Sequence, residues 1–335
     1  MLYDLNNAII ILFSILFSIF FFLQHQKIAN FFKLIDKPSH RKKHINHVAI
    51  TGGLGLIIIT VSSFCLLSFI EIQDYFFVTK EKNLGIIIFS SLIFFIGVCD
   101  DRYEIKPIYK LILTFIVYIL FLKIYPEFLI KEINFSWSNH TLDLKNFSFV
   151  FTLICFVIYL QIANMFDGMN LQCSLYSIIL FLIFYIILKN TFFLILISYL
   201  IVFSYFNFKN KSFLGDGGNY LISFYVSISL VYAQNNYFMS SDHIVFLLLI
   251  PVLDLFRLFF IRIRLKKSIF MPDRNHIHHY LLEKFRLNNV LLGYVLYLLI
   301  MTCIFILRNE FIFLLSIILF IIFYCYLVIF LRQKN

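Results

Sequence analysis

The hydrophobic positions of this chain fall into long unbroken runs and do not alternate with polar ones. Apolar segments recur from end to end, at about residues 8–24, 51–70, 84–99, 108–125, 147–166, 172–188, 191–207, 219–234, 243–261, 290–307 and 311–331. A helix rises about 1.5 Å per residue, so about 20 apolar residues cross a hydrocarbon core of about 30 Å. The pattern therefore predicts about eleven membrane-spanning helices. Runs rich in Ile, Val and Phe also occur in buried strands, but such strands end after about eight residues. The first run, Ala8 to Leu23, has no basic segment before it and no small-residue cleavage site after it. It is expected to stay as a span and not to be removed as a signal peptide. The tight division at Lys189-Asn190 separates two of the runs. No internal repeat and no long polar segment is evident, so a single transmembrane domain over residues 1–335 is expected. The expected class is an all-α polytopic integral membrane protein.

The polar connections divide into two alternating sets. One set is 25–50, 100–107, 167–171, 208–218, 262–289 and the C-terminal tail, and it holds most of the lysines and arginines. The other set, with nearby helix ends, holds only Lys80, Lys82, Lys123, Lys131, Lys145, Lys189 and Arg308. By the positive-inside rule the first set is cytoplasmic, the N-terminus outside and the C-terminus inside. Asp100, Asp101, Asp167, Asp216 and the histidines at 276–279 all fall in the cytoplasmic set. A single site at that face is thereby possible.

Composition agrees with this reading. The chain is 61% hydrophobic and 14% charged, against about 45–50% and 25% in soluble domains. The net charge of +10 reports orientation and anionic lipids or ligands, and nucleic acid is not expected as a partner. The six cysteines are scattered through apolar runs without a CxxC spacing, as small core residues would be.

Within the cytoplasmic loops, several clusters carry candidate chemistry. Asp100 and Asp101 end the third run. Adjacent carboxylates beside apolar sequence repel unless a cation lies between them, and a divalent metal on a phosphate is one such cation. The plain alternative is a solvated helix end. The first loop is basic, with Arg41, Lys42 and His44, and runs into Gly52-Gly53. It reads either as a topology-fixing charge run or as a phosphate-holding loop. Asn164, Asp167, Gly168 and Asn170 crowd polar groups between two apolar runs, which is costly unless they line a polar cavity. A simple Asn/Gly turn is the alternative. Phe213-Leu-Gly-Asp-Gly-Gly-Asn219 sets an acid among glycines, where backbone N–H groups approach a phosphate and the carboxylate holds a metal. Asp254 and Arg257 sit three residues apart and can pair on one helix face, while Pro251 should kink that helix. Arg274, His276, His278 and His279 lack the spacing of a zinc site and suit phosphate contacts better.

Together these clusters resemble the polyprenyl-phosphate N-acetylhexosamine-1-phosphate transferase family. The matching motifs are Asp36-x-Pro38 with Arg41-Lys42-x-His44 and Gly52-Gly53; Gly97-x-x-Asp100-Asp101-Arg102 with Lys110; Asn164-x-x-Asp167-Gly168-x-Asn170; Phe213-Leu214-Gly215-Asp216-x-Gly218; Pro251-x-x-Asp254; and Asp273-Arg274-x-His276-Ile277-His278-His279. Each is weak alone, but six in family order on one face are specific, and they cover nearly the whole chain. The His276-Ile277-His278-His279 form is similar to the branch that starts O-antigen, common-antigen and teichoic-acid synthesis. The peptidoglycan branch, which uses UDP-MurNAc-pentapeptide, tends to carry three consecutive histidines.

The resemblance implies transfer of N-acetylhexosamine 1-phosphate from a UDP-sugar to undecaprenyl phosphate, with UMP released, at a bacterial inner membrane. It implies Mg²⁺, with Mn²⁺ as a substitute, held by Asp216 and Asp101, and Asp100 at the lipid phosphate. Asn164, Asp167, Gly168 and Asn170 would hold the uridine, with Phe213 stacked on uracil and Asn207 as a further nucleotide contact. His276, His278, His279 and Arg274 would meet the diphosphate or sugar; Lys110, Arg41, Lys42 and His44 would cradle phosphate. The sugar is of GlcNAc, FucNAc or QuiNAc type, and a homodimer is left open. The chain departs from the family pattern at His47 and Ala49 (prolines), Leu171 (glycine), Asn219 (serine), Tyr280 (arginine) and Thr114 (glutamine). A multi-span transporter is the rival from another class, but transporters place their polar groups near the bilayer midplane. An inactive scaffold is the other alternative. The topology has a direct check: single cysteines placed at 45 and 140 in a cysteine-free background should react with an impermeant reagent from opposite sides. Reaction of both from one side overturns the span count.

Overall fold

A computed structural model describes residues 2–36, 47–69, 76, 80–266, 275–307 and 309–332. Eleven long helices follow the apolar runs. They are α1 (Leu2–Phe32), α2 (Gly52–Phe69), α3 (Lys80–Tyr103), α4 (Pro107–Ile124), α5 (Ser148–Phe166), α6 (Gln172–Leu188), α7 (Thr191–Phe208), α8 (Gly215–Asn235), α9 (Ser241–Arg264), α11 (Leu287–Leu307) and α12 (Glu310–Arg332). Among the described residues, eight of them are long and apolar enough to cross a membrane, with α2 and α6 as shorter apolar helices. This is a multi-pass membrane protein.

Helix α8 is the exception in composition and the centre in position. It carries Asp216, three glycines, Asn219 and several serines, yet its side chains from Gly217 to Val231 are nearly all buried. It packs against α2, α3, α5 and α6. A helix wrapped by protein needs no lipid-facing stripe, so polar and small residues survive along it. The small residues bring backbones together: a Cβ added at Gly97 of α3 would lie 2.5 Å from Gly217 Cα. The aromatic rings of Tyr118, Phe121, Tyr220, Phe224 and Tyr225 fill the layer below.

The apolar pattern did not predict three short features. The first is a sheet of β1 (Ile35–Asp36), β2 (Val48–Ile50) and β5 (Ser212–Phe213), antiparallel then parallel, with Ala49 opposite Ser212 and Ile50 opposite Phe213. Two of its strands are two residues long, too short to show alternation. The sheet ties Ile35–Asp36 and Val48–Ile50 to Ser212–Phe213, and Gly53 N–H donates to Leu214 O at 2.9 Å. The second is a hairpin of β3 (Glu132–Phe135) and β4 (Ser138–Asp143). It covers the far end of α8 and the start of α9, where Asp242 accepts from Ser136 Oγ at 2.7 Å and Gln234 donates to Glu132 O at 2.9 Å. The third is α10 (Ile277–Lys284), an eight-residue helix that carries the histidines.

The end of α3, the start of α4, the end of α5 and the start of α8 lie at the end of the bundle opposite that hairpin. Loop parity requires this arrangement. The α3–α8 contact generates a stability prediction. Gly97→Leu forces side-chain atoms into the Gly217 backbone, and overpacking of this kind costs about 1–3 kcal/mol. The variant should unfold at lower temperature in detergent; a melting curve identical to the parent's would show that the two helices do not pack as closely as described.

Candidate active site

Asp101 connects the acidic end of α3 to the start of α8. Its two carboxylate oxygens accept the backbone N–H of Asp216 (2.9 Å) and of Gly217 (3.1 Å). The first N–H groups of a helix have no internal partner and the helix dipole is positive there, so a carboxylate at that point is favoured. Gly215 enters the helix at φ +76, and a side chain there would meet Asp101 and Ile50. The contacts present make Asp101 a helix cap. Its remaining lone pairs are all that a metal ion would find.

Asp100 is buried, 8% exposed, and ion-paired with Lys110. Lys110 Nζ also lies 3.6 Å from Asp216 Oδ2, and the Asp100 and Asp216 carboxyls are within hydrogen-bonding reach of each other. One ammonium group thus serves two carboxylates, with a third close behind. The cluster carries surplus negative charge, which a proton or a second cation must offset. Among the described residues no group of three or more His, Cys, Asp or Glu side chains is arranged to hold a metal. The chemistry of the donors still suits Mg²⁺, a hard ion that takes one or two protein carboxylates and completes its shell with water and phosphate oxygens. Asp216, in the first turn of α8 with a side chain not committed to backbone, is the best placed of them.

Asp167 ends α5, where it accepts Asn219 Nδ2 at 2.7 Å. Burial pushes its carboxyl above the ordinary value, and the Asn219 bond works against that rise. Asp101 and Asp167 interact electrostatically, so the Asp167 pair adjoins the first cluster. Gly168 follows, and any side chain there would overlap the His278 ring. His278 is buried and its Nε2 has no partner. Its ring stacks on His276 at 5.3 Å and meets His279 at 4.2 Å. Burial, aided by the neighbouring imidazoles His279 and His276, pulls the His278 pKa down to about 3. A neutral ring with one unpaired buried nitrogen is prepared for a ligand's donor or acceptor, not for charge neutralisation. Behind it, Asp254 holds His276 Nδ1 at 3.1 Å and Arg257 at 2.7 Å.

The structure therefore brings together Asp100, Asp101, Lys110, Asp167, Gly168, Asp216 and the three histidines. Asn164 lies one turn before Asp167 on α5, and Phe213, in β5, leads directly into the Asp216 loop. Asn170 Nδ2 donates to Asn210 Oδ1 at 2.7 Å near the rim. Asn207 has a structural role that the sequence did not suggest. Its Oδ1 accepts Leu171 N–H at 2.7 Å and its Nδ2 donates to Ser212 O at 3.0 Å. Both ends of the amide bond to backbone, so Asn207 staples three segments. Arg41, Lys42, His44 and Arg274 lie outside the described residues. The site role of Asn219 was missed. It stood out in sequence only as a departure from serine, yet its longer amide is what reaches Asp167.

Residues 83–234 match the model of glycosyl transferase family 4. The chain is similar to the undecaprenyl-phosphate alpha-N-acetylglucosaminyl 1-phosphate transferase of Yersinia pestis, at 24% identity over 82% of the chain and 76% of the relative. The protein of that name from Escherichia coli K12 is 23% identical over 80% and 74%. That from Haemophilus influenzae is 24% identical over 75% and 72%. The resemblance drawn from the motifs is thereby borne out. The matched region holds every acid of the cluster and ends before the histidine segment.

The depressed His278 value generates a stability prediction with a definite sign. In the unfolded chain the imidazole takes up a proton near pH 6.5, and in the folded chain only near pH 3. Acid therefore favours the unfolded state between those limits. Thermal stability should fall as pH drops below about 6.5, and should fall less steeply in His278→Gln. Equal slopes in parent and variant would contradict the buried neutral ring.

Proposed function

We propose that this chain transfers N-acetylhexosamine 1-phosphate from a UDP-sugar to undecaprenyl phosphate, at the cytoplasmic face of a bacterial inner membrane. The product, a lipid-linked sugar pyrophosphate, is the starting unit of an envelope polysaccharide of the O-antigen, common-antigen or teichoic-acid type. The observation that carries this reading is the convergence of Lys110, Asp100 and Asp216 with the Asp167–Asn219 pair and the histidines at one end of the bundle. The relatives' names, which specify undecaprenyl phosphate and N-acetylglucosamine 1-phosphate, favour GlcNAc over the FucNAc and QuiNAc alternatives.

The reaction needs little covalent chemistry from the protein. An oxygen of the lipid phosphate attacks the sugar-linked phosphorus, the bond to the UMP phosphate breaks, and UMP departs with the bonding electrons. Phosphoryl transfer of this kind is governed by in-line placement and by neutralising charge on the phosphate oxygens. In this reading Lys110, which bridges Asp100 and Asp216, neutralises the lipid phosphate and the developing charge. Asp100, held by Lys110, orients that phosphate or accepts its residual proton; a phosphate with a second pKa near 6 is mostly ionised already. Asp167 and Gly168 face the uridine side, and His276, His278 and His279 meet the diphosphate or sugar. Bound at Asp216, with Asp101 behind it, Mg²⁺ would supply electrostatic stabilisation of the diphosphate.

The test is UMP release by the purified protein from a panel of UDP-N-acetylhexosamines in the presence of Mg²⁺ and undecaprenyl phosphate. At least one sugar nucleotide should turn over. EDTA should abolish release, and Asp216→Ala should lower kcat by at least about 100-fold. Full turnover in EDTA would overturn the assigned role of Asp216, and no turnover with any sugar would overturn the reaction.

A further inference from the structure

Helix α12 is the most apolar and the least buried of the candidate spans among the described residues. A helix facing lipid has no use for a buried hydroxyl, yet Tyr324 on it is only 5% exposed. Its ring packs with Ile277 and Leu331, and its hydroxyl donates to Asp254 Oδ1 at 2.9 Å. The same Oδ1 accepts Arg257 Nη2 at 2.7 Å and Nε at 3.1 Å. Arg257 Nε also lies 3.1 Å from the Tyr324 oxygen, and its Nη2 reaches Asn275 O at 2.5 Å. Three bonds thus converge on one carboxylate oxygen. The other, Oδ2, faces His276 Nδ1 at 3.1 Å.

The arrangement has a chemical consequence. A carboxylate paired with a guanidinium only accepts hydrogen bonds, so His276 Nδ1 must carry the proton and Nε2 is left for a ligand. The tautomer holds only while Asp254 keeps its orientation. If Asp254 turned part-way about its Cβ–Cγ bond, neither oxygen would lie in line with His276 Nδ1, and the acceptor that fixes the tautomer would be lost. Tyr324 and Arg257 both fix Oδ1, from two different helices. Asn275, the residue before the histidines, is tied to the same arginine, so one node sets both the backbone and the ring orientation at His276.

We propose that Tyr324 is a positioning residue: through Asp254 it holds His276 in its Nδ1–H form, with Nε2 presented to the substrate site. What His276 touches there rests on the transferase reading; the tautomer does not. Two arms separate these. In the first, the full chain in nanodiscs, labelled with ¹⁵N-histidine, is compared with its His276→Gln variant to assign the His276 resonances. The parent should show a protonated Nδ1 and an unprotonated Nε2 at pH 8, and Asp254→Asn should lose that single form. An unchanged His276 spectrum in Asp254→Asn overturns the proposal, whether or not the chain is active. In the second, Tyr324→Phe, which keeps the ring and its packing, should lower kcat about 10-fold, as loss of an outer partner of an active-site histidine does, while KM for the UDP-sugar changes less than about 2-fold. The Asp254→Asn/Tyr324→Phe double variant should be no slower than Asp254→Asn alone, because both act through one contact. Multiplying losses, or an unchanged kcat in Tyr324→Phe, overturn the positioning role. Absence of turnover in the parent overturns the transferase reading and leaves the spectroscopic arm to decide the tautomer.

Discussion

The site depends on one carboxylate at one helix end. Asp101, at the end of α3, accepts the first free N–H groups of α8. That contact satisfies donors that have no other partner and places negative charge against the positive end of the helix dipole. It also fixes Asp216 in the first turn of α8, beside Asp100 and Lys110. Without it, the start of α8 would bury unpaired N–H groups, at about 1–3 kcal/mol each. Close packing of Gly97 on Gly217 holds the two helices at the distance the cap requires. Packing and capping thus act on the same two helices, and Asp101 is held there by backbone N–H groups.

The second constraint is charge. Four aspartates, Asp100, Asp101, Asp167 and Asp216, adjoin one another at the end of the bundle, and each has a different relief. Asp100 has Lys110, Asp101 has two backbone N–H groups, Asp167 has the Asn219 amide. Asp216, among the described residues, has Lys110 at 3.6 Å and the Asp100 carboxyl beside it. The sharing is unequal: Asp101 is committed to backbone N–H groups and Asp100 to Lys110, while the Asp216 side chain is tied to neither backbone nor amide. The same logic runs through the histidines. His276 has a carboxylate partner, whereas His278 is buried, neutral and unpaired at Nε2.

Much of this was legible in the sequence, for physical reasons. Membrane spans declare themselves because lipid demands a continuous apolar run, and the run lengths located ten of the eleven helices to within a few residues, α1 (Leu2–Phe32) extending well beyond its run at both ends. Loop parity put Asp100, Asp167, Asp216 and the histidines together because topology leaves a connection only two faces to choose from. The pairing of Asp254 with Arg257 followed from helical spacing. What was not legible was contact between distant segments that carry no pattern. A two-residue strand such as Ser212–Phe213 has no periodicity to read. Asn207 and Asn170 look alike in sequence, and only their neighbours decide that one is a buried staple and the other a rim residue. Tyr324 lies in the most apolar of the candidate spans, two residues from Tyr326, and nothing in the pattern singles it out as the partner of Asp254.

Two departures from the family pattern show how the site absorbs change. Where glycine is usual, Leu171 occupies the left-handed region at φ 68 at the start of α6. A side chain there costs about 1–2 kcal/mol of backbone strain. The cost is met locally: its N–H is held by Asn207 Oδ1, and its side chain packs on Met169, Val290 and Leu291. The loop keeps its path because Asn207 and α11 determine it together, and Asp167 and Gly168 stay in register with His278. Asn219 works in the opposite sense. A serine at that point would be too short to span what the amide spans to reach Asp167 Oδ2. In this chain, then, α8 supplies both Asp216, beside Asp100 and Lys110, and the donor that steadies the acid next to Gly168 and the histidines. The two halves of the site are coupled through a single helix whose position Asp101 sets.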